Sequence, residues 1–155
     1  MTKKAEFNAK QWSTVVEGPM FAGMWVMAAE RGGSLRESVA IGRVYAGARE
    51  SQGSSELLDE LVSSPPALDR GRAQEVGADV PAAARDALRR AMEVVEAAAT
   101  AEEADAYKRF VMTVAQAAAE AHKEGGFLGV GGKPVSEAED RALDEISTTL
   151  GAPPA

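Results

Sequence analysis

Residues 100–126 read TAEEADAYKRFVMTVAQAAAEAHKEGG. Thr100-Ala101-Glu102-Glu103 has the form of a capping box, in which a hydroxyl and a carboxylate three residues apart each accept the other's backbone amide hydrogen at a helix start. Beyond it Tyr107, Val111, Val114, Ala118 and Ala121 recur at steps of three and four, the spacing of one helix face. Gly125-Gly126 ends the run, because glycine leaves a helix at little steric cost. A long amphipathic helix must bury that face, and alanine along it lets a neighbouring helix axis come close. The stretch therefore predicts an all-α protein.

The same pattern extends outward. On the C-terminal side a loop, Phe127 to Val135, leads to a second capping box, Ser136-Glu137-Ala138-Glu139, and to core positions Ala142, Leu143, Ile146 and Leu150. On the N-terminal side a helix from Pro81 carries Leu88, Met92 and Val95 on one face, with Arg85, Arg89, Arg90 and Glu93 outside. Residues 65–80, rich in proline and glycine and without period, form a linker. Before it, Ser55 to Val62 is a short amphipathic segment with Leu57, Leu58 and Leu61 inward. Ser34-Leu35-Arg36-Glu37 is a further capping box, opening a helix to about Glu50 with Leu35, Val39, Gly42 and Ala46 as its inward row. A first helix opens at Asn8-Ala9-Lys10-Gln11. Gly18-Pro19 is expected to interrupt it, since proline suits a first turn, and a new helix then runs to Gly32-Gly33. The expectation is a single domain, 1–155, of about six helices, with a first unit 9–64, the linker 65–80 and a second unit 81–151.

Composition agrees with this. Of 155 residues 31 are alanine and only 29 are Leu, Ile, Val or Phe, while the net charge of −7 is too modest to oppose collapse. No cysteine is present, which excludes disulfides, thiol catalysis and thiolate metal sites. A pI near 4.8 and the lack of a Lys/Arg cluster argue against nucleic acid. The longest apolar run, Pro19 to Ala29, falls short of the roughly 20 residues of a spanning helix, and no signal peptide is evident at Met1 to Glu6. No transmembrane segment and a cytoplasmic location are expected.

Two segments share a grammar. Ala28-Ala29-Glu30-Arg31-Gly32-Gly33 runs into Ser34-x-x-Glu37, and Ala121-His122-Lys123-Glu124-Gly125-Gly126 runs, after nine further residues, into Ser136-x-x-Glu139. A duplication predicts two related helical hairpin units around a pseudo-twofold; a chance likeness of two capped hairpins accounts equally well for the pattern. An Ala-rich helix, a glycine turn and a Ser-x-x-Glu start in two copies resembles the tellurite-resistance TerB-like all-helical family, over roughly 12–50 and 107–150. That resemblance implies a bacterial, stress-related setting and acidic metal-binding positions. Arg31 and Glu124 stand where the family pattern would place an aspartate before the turn glycine.

Several residues are candidates for function. In the loop after Gly125, Phe127, Leu128, Val130 and Lys133 either plug the core or meet a partner. The loop is not a P-loop, because Phe127 stands at its first glycine position and Pro134 at its Ser/Thr position. Trp12, Met20, Phe21, Met24, Trp25 and Met27 form a Met/aromatic row that is either core or an adaptable interface, with Trp12, Met20, Met24 and Trp25 as the contact candidates. Carboxylates Glu30, Glu37, Glu124 and Glu139 could gather where the turns meet and hold a divalent metal ion, although Glu37 and Glu139 already serve as capping acceptors. His122, the only histidine, reads as a surface or boundary residue without a nucleophile beside it in sequence. No catalytic constellation can be assembled. The sequence thus favours a non-catalytic helical protein acting through protein contacts, with a protein partner or a homodimer and no cofactor, and the metal-ion binder as alternative.

Overall fold

A computed structural model describes residues 3–29, 35–63, 79–124 and 136–151; the side chains at 35, 36 and 122–124 are outside that description. Among the described residues there are six α-helices and no strand: α1 Ala9–Ala29, α2 Leu35–Glu50, α3 Glu56–Val62, α4 Val80–Ala98, α5 Ala101–Glu124 and α6 Glu137–Leu150. A single 3-10 turn, Lys4–Glu6, precedes α1. The linker expected at 65–80 lies almost wholly outside the described residues.

Helix starts follow the local chemistry. Asn8 Oδ1 accepts from the Gln11 amide at 2.8 Å while Gln11 Oε1 accepts from the Asn8 amide at 2.9 Å. Thr100 and Glu103 form the same reciprocal pair at the head of α5, at 3.2 Å each way. Ser136 and Glu139 do so for α6, at 3.1 and 3.0 Å. Ser55 and Asp79 cap α3 and α4 by accepting from the Leu58 and Ala82 amides. Each such bond satisfies a backbone donor that the first turn leaves without an intrahelical partner. Gly151 closes α6 in the left-handed conformation, φ 67°.

Helix α1 is the centre of the molecule. It packs chiefly on α4 and α5, and also on α6. From Val15 to Val26 every residue is buried or half-buried, the mark of a helix covered on all sides. The strongest packing therefore crosses between the two sequence units, and one continuous core joins them: Phe21 and Trp25 of α1 with Leu88, Met92 and Val95 of α4, Tyr107, Val111 and Val114 of α5, and Ile146 of α6. Alanines 84, 87, 91, 104, 115, 118, 119 and 142 fill the seams, which lets these helices sit close. The expected inner rows of α4, α5 and α6 are all buried or half-buried.

Two expectations are corrected. Gly18-Pro19 does not end a helix; α1 runs through it with Pro19 inside. Proline there removes the amide that would bond the Val15 carbonyl, a loss of about 3 kcal/mol in an isolated helix. Instead the Tyr107 hydroxyl of α5 donates to Val15 O at 2.7 Å. Gly18 makes room for that ring, since a Cβ at this position would stand 2.1 Å from Tyr107 Oη and 3.4 Å from Ala91 Cβ. The second correction concerns α2. Its buried side carries Glu37, Ile41 and Tyr45, with Val44 and Ala48 half-buried against the core. Val39 and Ala46 of the expected inward row face outward, and Val39 is 49% exposed. Rows 35-39-42-46 and 37-41-44-48 lie on opposite sides of one helix, and burying Ile41 and Tyr45 removes more apolar area from water than burying Val39 and Ala46.

Candidate functional site

The candidate positions fall at different places in the fold. Trp25 is 2% exposed and belongs to the core, so it presents no contact surface. Arg85 of α4 lies over its ring, 5.2 Å from the centroid, and pairs with Glu145 of α6 at 2.9 Å, closing the core over the indole. Trp12, Met20 and Met24 are half-buried and pack against that core. Trp12 stacks at a tilt on Phe7, with centroids 5.7 Å apart, and Lys4 lies over it. The loop residues Phe127, Leu128, Val130 and Lys133 lie outside the described residues, as do Glu30 and the side chains of His122 and Glu124. Glu37 is buried on α2 and Glu139 is buried in the α6 capping box, so each sits within its own helix start. Among the described residues no three His, Asp or Glu side chains are placed to hold a metal ion. No helix among them is long and apolar enough to cross a membrane.

Two features went unnoticed in the sequence. One is an open cleft of about 500 Å³ between the α2–α3 turn and the first turns of α5, lined among others by Ser55, Glu56, Glu102, Glu103 and Arg109. Ser55 and Thr100 use their hydroxyls as helix caps there, and Glu103 accepts from the Thr100 amide. One oxygen of Glu56 is shielded from solvent with no hydrogen-bond partner among the described residues. Both helix starts can be found in the sequence, but nothing in their spacing brings residue 55 beside residue 100.

The other is a buried pair of tyrosines, which are the only tyrosines in the chain. Tyr45 packs edge-on against Phe110, with centroids 5.1 Å apart, and its hydroxyl has no hydrogen-bond partner among the described residues. Burial pushes the Tyr45 hydroxyl above the ordinary tyrosine value. Burial, and after it the neighbouring Tyr45, pushes Tyr107 up as well. The consequence for stability has a definite sign. In the unfolded chain both groups ionise near pH 10, while in the folded chain they hold their protons, so above about pH 10 the native state binds more protons and stability falls as pH rises. The expected loss approaches 1.4 kcal/mol per pH unit for each tyrosine. Denaturant melts between pH 8 and 11 should show it, and Tyr45→Phe should flatten the fall. A pH-independent midpoint across that range would mean that the hydroxyls are not held protonated.

Among the described residues, the outward side of α2 is the surface most clearly left without an intramolecular partner. Val39, Arg43, Ala46, Gly47 and Glu50 are exposed, with Gly42 half-buried among them. A Cβ at Gly42 or Gly47 would meet no atom of the described residues within 4 Å. Val39 alone among the large apolar side chains described is exposed. No family model, no curated protein and no solved structure matches this chain.

Proposed function

We propose that this protein is a non-catalytic helical protein that acts by contacting another protein, and that the outward side of α2 is its contact surface. One observation carries the reading. The row of α2 whose spacing and composition suit burial, Val39 with Gly42 and Ala46, is turned outward, while the other large apolar side chains among the described residues are buried or half-buried. A helix face of small residues around one exposed valine lets a partner's backbone come near, which a lysine- or glutamate-covered face prevents. A stress-related setting belongs to the same proposal and rests on the resemblance to TerB-like proteins; a cytoplasmic location belongs to it too and rests on the sequence at Met1–Glu6 and on the short apolar run Pro19 to Ala29.

Cross-linking in cells that make the protein, followed by mass spectrometry of the captured species, tests the reading. Val39→Arg should remove the captured species while changing the melt of the purified protein by no more than about 0.5 kcal/mol, as expected of an exposed position. An unchanged set of captured proteins in the variant would overturn the assignment to α2.

A further inference from the structure

We propose that the partner of the α2 face is a second copy of this chain, paired antiparallel about a two-fold axis that passes between Ala46 and Gly47. The inference rests on the protein-contact reading above and names its partner.

The charge pattern singles out a second copy. Arg43 and Glu50 are both exposed on the outward side, and neither has an ion-pair partner within the described chain. They stand seven residues apart, two helical turns or about 10.5 Å along the axis. When two copies of α2 run antiparallel about a point between 46 and 47, Arg43 of each copy comes level with Glu50 of the other. Two cross pairs then form, as the self-complementarity of a two-fold interface requires. A parallel pairing sets arginine beside arginine and glutamate beside glutamate, which is repulsive. The antiparallel arrangement also opposes the two helix dipoles.

The shape of the face agrees with the charges. Glycine inside a helix costs about 1 kcal/mol relative to alanine, and α2 carries two such glycines whose adjoining space no described residue fills. At the crossing point Ala46 and Gly47 present almost no side-chain bulk, and Gly42 lies at the end of the overlap, so the two backbones can come within the short end of the usual interaxial range. Val39 stands four residues, or about 6 Å, beyond the level of the partner's Glu50 and lies outside the helix pair. Helix α2 ends at Glu50, so with this axis the two copies overlap only over residues 43–50, and such a pair buries less than the roughly 1,200–2,000 Å² of a standard interface. The dimer is therefore expected to dissociate on dilution, with its midpoint between about 1 μM and 1 mM.

Sedimentation equilibrium on the full-length chain over that concentration range, with Arg43→Glu, Glu50→Arg and the double swap, tests the pairing. Wild type should pass from monomer to dimer. Each single change should raise the dissociation constant at least tenfold, because like charges then face each other, and the double swap should return it to within about threefold of wild type. Circular dichroism melts of all four proteins separate loss of association from loss of fold. A wild type that stays monomeric throughout, a dimer insensitive to Arg43→Glu, or a double swap that fails to recover would each overturn self-pairing. In those cases the capture experiment with Val39→Arg still decides whether α2 contacts a different protein.

Discussion

Replacing Trp25 by alanine is expected to cost about 3–5 kcal/mol and to lower the melting temperature by roughly 10–15 °C. The indole is 2% exposed on the central helix, surrounded by the core that α1 shares with α4, α5 and α6. Truncation removes its transfer energy and leaves a cavity that rigid helices on several sides cannot close. It also strands Arg85, which lies over the ring. The Arg85–Glu145 pair is half exposed and contributes little by itself. For a domain whose whole stability is on the order of 5–15 kcal/mol this is a large fraction. Trp12→Ala is the internal comparison: that ring is half-buried at the edge of the same core, and its loss should cost clearly less. Thermal melts followed by circular dichroism read both. Near-equal values for the two tryptophans would contradict the central position of α1.

Gly18→Ala is expected to destabilise by about 3 kcal/mol, against the sign of the helix preference, which favours alanine over glycine by about 1 kcal/mol. The cause is a single atom. A Cβ at residue 18 falls 2.1 Å from Tyr107 Oη but 3.3 Å from Tyr107 Cζ, so the hydroxyl, rather than the ring, is what it cannot pass. Tyr107→Phe by itself should cost about 1–3 kcal/mol, because it leaves the Val15 carbonyl buried without a donor next to a proline that cannot supply one. The double variant should be scarcely less stable than Tyr107→Phe alone, since removing the hydroxyl also removes the clash. A coupling of roughly 2 kcal/mol or more between these positions is the expected outcome of the cycle. Additive losses would mean that the hydroxyl does not set how closely α5 approaches α1.

These two variants mark where local chemistry was sufficient and where it was not. Thr100 with Glu103 and Ser136 with Glu139 could be identified as helix starts from four residues each, because donor and acceptor lie within one turn. The buried faces of α4, α5 and α6 were equally legible, since each has one clearly apolar row. Helix α2 was not. It offers two rows of moderate apolarity on opposite sides, and only the presence of α5 and α1 against Ile41 and Tyr45 selects between them. The surface proposed for function comes directly from that choice.

Gly18-Pro19 shows the same limit from the other direction. Within the neighbouring residues the pair looks like a helix end, and the Val15 carbonyl that Pro19 leaves without a backbone donor is met by a hydroxyl 92 positions from it. The sequence by itself thus determined the helical class, the capped starts of the helices and the inward rows of the second half, because those depend on contacts within a turn or two. The tertiary structure alone decided that α1 runs unbroken through the centre, that Trp25 is core rather than surface, and that Val39, Arg43 and Glu50 point outward. Each of those outcomes depends on groups far apart in the chain competing for the same buried space.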